Sequence, residues 1–209
     1  MSEPIRPSTI LPAQRTPFTV TTEDGQTLIG EVSAPLSGST SAILCCHPNP
    51  TGGGMMDSHI YKKASNRLPS MAGITVVRFN TRGTTSEAGT STGTYDNGRA
   101  EKYDVEAMIR YCFDTLKLTE LWVVGWSFGT SIAISHARDP RVKGLILLSP
   151  TLLDIVDGDL EFWAQASGDK SWGYESGLEI YRRMENWQGA PSERYRGKNG
   201  PVWCQPAFN

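Results

Sequence analysis

Between Ser41 and Ser149 short apolar runs alternate with segments of helical spacing, and this alternation limits the chain to few architectures. SAILCC (41–46), ITVVRFN (74–80), LWVVGW (121–126) and VKGLILLS (142–149) have the length and composition of buried strands. The segments from Ser58 to Ala72, from Arg99 to Lys117 and from Ser127 to Arg138 read as helices between them. Apolar strands that alternate with helices call for a mostly parallel sheet covered on both faces. Pro69 is expected to end the first helix near Leu68, because the residue before a proline avoids the helical region. Ahead of the alternation, TPFTVTT and QTLIGEVSA flank EDG and predict an antiparallel hairpin. The Gly/Thr/Ser-rich stretch 81–98 reads as a flexible surface connection rather than a binding loop.

The pattern stops after Pro150. DLEFWAQA could form a short helix, but from Gly168 onward leucine, isoleucine and valine occur only at Leu178, Ile180 and Val202. Two further core strands cannot be drawn from that material, so the sheet is expected to end at the sixth strand and leave it an apolar edge. The expected organisation is a flexible N-terminus over 1–15, an α/β domain over 16–165 and an atypical, disordered or locally helical tail over 166–209.

The 209 residues carry 20 basic and 22 acidic side chains without a basic stripe, which argues against nucleic-acid and membrane partners. Cys45 and Cys46 are adjacent on a strand, Cys112 lies on a helix and Cys204 in the tail, which is neither a disulfide framework nor a zinc spacing. No metal or other cofactor is expected, and the absence of a leader-like apolar run predicts a cytoplasmic location. Oligomeric state is not legible.

Gly125-Trp126-Ser127-Phe128-Gly129 fits G-x-S-x-G between a strand and a helix, the context in which that motif forms a nucleophile elbow. A sharp turn there exposes Ser127 at the positive end of a helix. The loop HPNPTGGGMMDS (47–58) follows the SAILCC strand, where donors for an oxyanion are needed. Pro48 and Pro50 have no N–H, which leaves Asn49 as the donor between them, and the hole is assigned to the backbone N–H groups of Asn49 and Phe128. The Gly52–Gly54 run resembles a phosphate loop, but no Gly-Lys-Ser/Thr follows. Asp57 and Ser58 are candidate caps of the next helix.

HPNPTGGGMMDS, VVRFNTRGTTSEAGTSTG, VVGWSFG and LILLSP together resemble the α/β-hydrolase superfamily, in particular its small cytoplasmic serine hydrolases with an HP-x-P loop, which are distantly similar to dienelactone hydrolases. The resemblance covers about residues 16–165. It implies a three-layer fold with eight strands, Ser127 as nucleophile, Asn49 and Phe128 as oxyanion donors, and cofactor-free hydrolysis of an ester or related acyl bond in a small-molecule substrate. Arg82 and Gly83 match the family's arginine-glycine, with a loop-shaping role. The family's acid and histidine follow a seventh and an eighth strand, and here the chain departs from it.

Its histidines are His47, His59 and His136. His136 lies nine residues past Ser127 on the same helix, about 13 Å away at 1.5 Å per residue. His59 reads as a solvated or capping residue. His47 is the candidate substitute base, and its alternative role is to fix the oxyanion loop. Asp154, Asp157, Asp159 and Asp169 read as a solvated acidic loop. Three functions remain open: a working hydrolase, a chain impaired or inactivated by its altered C-terminus, and a non-catalytic binding module.

Overall fold

A computed structural model describes residues 9–150, 157–190 and 192–205. The chain divides into two compact units, 1–155 and 156–209. The segment DLEFWAQA falls in the second unit.

The first unit is built on a six-stranded sheet. β1 (Gln14–Thr21) and β2 (Thr27–Ala34) form the hairpin, followed by β3 (Ser41–Cys46), β4 (Thr75–Phe79), β5 (Glu120–Trp126) and β6 (Val142–Leu148). Their spatial order is β1-β2-β4-β3-β5-β6. β1/β2 and β2/β4 pair antiparallel, whereas β3/β4, β3/β5 and β5/β6 pair parallel. β3 is thus the neighbour of the strand that leads to Ser127, and the sheet ends at β6 among the described residues.

Helix α1 (His59–Ala72) covers one face, where Tyr61, Ala64 and Leu68 pack with Ile43, Cys45, Val76, Val124 and Trp126. Helices α2 (Glu101–Arg110) and α3 (Phe128–His136) pack on each other and on the strands of the sheet. A single π turn, Tyr111–Thr115, extends α2. Burial on both faces is complete in the middle: all five residues of β4 are buried. It fails toward the β6 edge, where Trp122 is 43% and Ile146 41% exposed.

Three expectations are corrected. The first helix runs through Pro69 to Ala72. Proline removes one N–H and perturbs the turn before it, and the N-terminal segment takes up carbonyls there: the Leu11 N–H donates to Asn66 O at 2.9 Å and Arg15 Nη2 approaches Ser65 O at 3.5 Å. Residues 9–15 are therefore tied to α1, and β1 begins inside the stretch expected to be flexible. Residues 1–8 lie outside the described part.

The 81–98 stretch is likewise not a loose surface connection. Thr81, Arg82, Thr84 and Ser91 are buried, and residues 85–86 pair with 89–90. Arg82 holds the stretch in place through Asp104 and Asp24, at 2.7 and 2.8 Å. The loop-shaping role expected of Arg82 thus has a concrete form.

In the second unit, α4 (Asp157–Ser167) and α5 (Tyr174–Met184) precede β7 (Glu185–Trp187) and β8 (Val202–Cys204), a three-residue parallel pair. The described part of the tail is locally helical, and its described strands pair with each other. No described helix is long and apolar enough to cross a membrane.

Candidate active site

β5 delivers Ser127 and α3 departs from it at once. Ser127 sits at φ 53° and ψ −119°, a positive-φ conformation that a side-chain-bearing residue adopts only when its surroundings enforce it. The Ser127 N–H donates to Leu148 O on β6 at 2.9 Å, and both the N–H and the hydroxyl of Thr130 donate back to Ser127 O, at 2.8 and 2.6 Å. The close approach of the helix to the sheet explains the motif's glycines. A Cβ on Gly129 would stand 2.0 Å from Cys46 O and 2.8 Å from His47 O, and one on Gly125 would meet Gly129 O at 2.5 Å. The same contact places the first turn of α3 against the end of β3, where the 47–58 loop begins.

Phe128 is the first residue of α3, so its N–H has no partner within the helix and points out of the positive end. Its ring meets Tyr95 edge-on, with centroids 5.2 Å apart. Asn49 is exposed, and its N–H has no partner among the described residues. Its other groups are occupied: the carbonyl accepts from Gly52 and Gly54, and Oδ1 accepts from the Thr51 N–H at 2.9 Å, capping the turn Pro50–Gly52. The glycine run closes this turn rather than cradling a ligand, since a Cβ on Gly54 would stand 2.1 Å from Pro48 O.

His47 is fully buried. Its Nε2 accepts from the Thr81 N–H at 3.1 Å, so the other nitrogen carries the proton, and Nδ1 donates to Pro48 O at 2.7 Å. Burial drives its pKa down to about 4, although the bond to Pro48 O works in the other direction. With both ring nitrogens committed, His47 has none with which to take the serine proton. This corrects the expectation of a substitute base and leaves His47 the loop-fixing role.

His136 ends α3 and its Nε2 donates to Gly98 O at 2.6 Å. His59 opens α1, exposed, with its ring edge-on to Trp126 at 5.1 Å. Of the acidic residues, Asp169 caps a turn through the Ser171 N–H, Asp157 and Asp159 fall in α4, and Asp154 lies outside the described residues. Asp57 and Ser58 do not cap α1 with their side chains: Asp57 pairs with Arg78 and Lys62, and Ser58 Oγ accepts from the Met55 N–H. Met56 and Phe128 are core residues. No cluster of three or more His, Cys, Asp or Glu able to hold a metal ion occurs among the described residues.

Sequence reasoning missed Arg78 and Asn80. Both are buried at the end of β4 and bond to the 47–58 loop from below. The available signal was an arginine and an asparagine inside the otherwise apolar run ITVVRFN, where a polar group needs a specific partner.

The family described as the alpha/beta hydrolase fold matches residues 41–183. An alpha-beta serine hydrolase homologue from Coxiella burnetii is 28% identical, with a TM-score of 0.54, over 72% of this chain and 67% of that one. A serine hydrolase without a lid from Xanthomonas campestris superimposes with a TM-score of 0.60 at 24% identity, over 94% of this chain and 85% of that one, a likeness of fold. A different likeness runs over 47 residues, 22% of this chain, which are 45% identical to an oxygen-dependent choline dehydrogenase of Brucella ovis. The chain spans only 8% of the length of that curated relative.

Proposed function

Because this chain belongs to the α/β-hydrolase fold family, we propose that it is a serine hydrolase that attacks an ester or related acyl bond and forms an acyl-enzyme on Ser127. The observation that carries this is the positive-φ backbone of Ser127 at the start of α3, held by Gly125 and Gly129. An incidental serine at an ordinary strand-to-helix turn has no reason to keep such a conformation. The Asn49 and Phe128 N–H groups supply the oxyanion donors, and the substrate is a small molecule with an acyl group. Oxyanion stabilisation is the larger part of catalysis in many acyl-transfer sites.

The committed ring nitrogens of His47 favour a second, narrower reading of the same site. The sequence has no histidine beyond His136, where the resemblance places the family's base, so on this reading acylation is slow and water releases the acyl group more slowly still. An oxyanion hole and binding alone leave roughly a thousandfold acceleration over water. Intact-mass analysis after treatment with a fluorophosphonate and, separately, with an activated ester tests both. Labelling by the fluorophosphonate that is absent in Ser127→Ala supports the nucleophile. An acyl adduct that persists for minutes supports the baseless reading, and rapid turnover overturns it. No labelling of folded protein overturns the proposal itself.

A further inference from the structure

The loop from His47 to Asp57 is gripped at both of its ends by one short stretch of chain, residues 78–81 at the end of β4. At the near end the Thr81 N–H donates to His47 Nε2. At the far end the Met56 N–H donates to Asn80 Oδ1 at 2.9 Å, and Arg78 Nη1 donates to Met56 O at 3.0 Å and to Asp57 Oδ1 at 2.7 Å. The grip is itself anchored. Asn80 Nδ2 donates to Ser86 Oγ at 2.9 Å, its carbonyl accepts from Ser91 Oγ at 2.8 Å, and Arg78 Nη2 binds Glu31 on β2 at 2.6 Å. Asn80 is fully buried and Arg78 is 2% exposed, so neither side chain has a solvent-facing role.

Between the two grips the loop is held by His47 Nδ1 on Pro48 O, by its turn at Pro50–Gly52 with the contacts around Gly54, and by the Met55 N–H on Ser58 Oγ. Asn49, the donor, lies in that span. An oxyanion donor acts through where its N–H stands, and a displacement of about 1 Å can cost on the order of a hundredfold in rate. We propose that Asn80, supported by Arg78, is a positioning residue for the oxyanion hole: it fixes the Met56 peptide and thereby the place of the Asn49 N–H relative to Ser127. This rests on the reading of Ser127 as nucleophile.

The test compares three variants of the full chain by the second-order rate of Ser127 labelling with a fluorophosphonate, measured well below each thermal midpoint. Asn80→Leu removes the acceptor for Met56 and should slow labelling by about 10- to 100-fold. Asn80→Asp keeps an oxygen for the Met56 N–H and should restore the rate to within about threefold of the parent. Thr85→Ala cuts the exposed Thr85–Thr90 hydroxyl pair of the same stretch without touching Asn80, and should label at the parent rate even where its midpoint falls. Should Asn80→Leu not fold, Asn80→Ser, too short to reach Met56, takes its place. Equal rates for Asn80→Leu and the parent, or an Asp variant as slow as the Leu variant, overturn the positioning role while Ser127 stays the nucleophile. A parent protein that does not label overturns both.

Discussion

The stretch around Ser127 and the stretch from 157 to 205 are held together in different ways. Around the elbow the contacts are buried and involve the backbone: helix turn against strand end at Gly129, His47 between two main-chain groups, Asn80 on the Met56 peptide. In the second unit most ion pairs are exposed, such as Lys198–Glu193 and Arg182–Glu179, with Arg196–Glu185 half-buried. Trp163 is the buried apolar side chain of its described residues, while Ile180, Met184, Val202 and Trp203 stand exposed. Buried pairs leave a costly orphan when cut, and exposed ones are worth about 0–1 kcal/mol. The difference teaches that the chain holds the turn at Ser127 and the loop beside it rigidly and puts little buried structure into residues 157–205.

The comparison can be broken first at Asp104. This buried carboxylate accepts from the Arg82 N–H and pairs with its guanidinium at 2.7 Å, and Asp24 alone would remain as a partner for the arginine. Asp104→Ala should cost about 3 to 4 kcal/mol in urea unfolding of the first unit. A loss under about 1 kcal/mol would mean that the 81–98 stretch is held some other way. The next effect is one of pH. His47 has a pKa near 4 when folded and an ordinary value near 6.5 when unfolded, so the unfolded chain binds the extra proton between those values. Stability therefore falls as pH drops from about 6.5 to 4, by about 3 kcal/mol. Unfolding of the parent and His47→Gln across that range checks it, and parallel curves would show that His47 is not buried neutral. Gly129→Ala comes third, at about 2 kcal/mol, because backbone atoms of Cys46 and not a yielding side chain meet the added methyl. It should also abolish labelling of Ser127.

Much of the first region is legible in sequence, for physical reasons. Strands such as LWVVGW announce themselves by composition, and the elbow requires small residues at fixed distances from Ser127, so its signature is local. The antiparallel hairpin and the pairing of β3 beside β5 follow from turn residues and from the fold the motifs imply. What escaped depends on contacts between distant residues. Pro69 sits inside α1 because the segment at Leu11 and Arg15 reaches across to it, and no local rule contains that information. Stretch 81–98 looks loose by composition, yet Arg82 finds Asp24 and Asp104, 58 and 22 residues away. His47 could be weighed as a base only while its partners, Pro48 O and Thr81 N–H, were unknown. The want of material for further core strands and the helix over DLEFWAQA were visible, but α5 and the short parallel pair were not.

The smallest expected effect sharpens the comparison from the other side. Trp203 is 74% exposed on β8, a strand whose three residues pair with Glu185–Trp187. If the second unit is held as loosely as its exposed contacts suggest, Trp203→Ser removes little buried area and should shift its unfolding by less than about 0.5 kcal/mol. Arg196→Ala gives up a guanidinium 3.8 Å over Trp187 and its ion pair with Glu185 at 2.9 Å, and should cost somewhat more, about 0.5 to 1.5 kcal/mol. Tryptophan fluorescence in denaturant reads both. A Trp203→Ser loss well above 1 kcal/mol would mean that this ring is covered in solution. The contrast between a rigidly built unit around Ser127 and a loosely built C-terminal unit would then have to be given up.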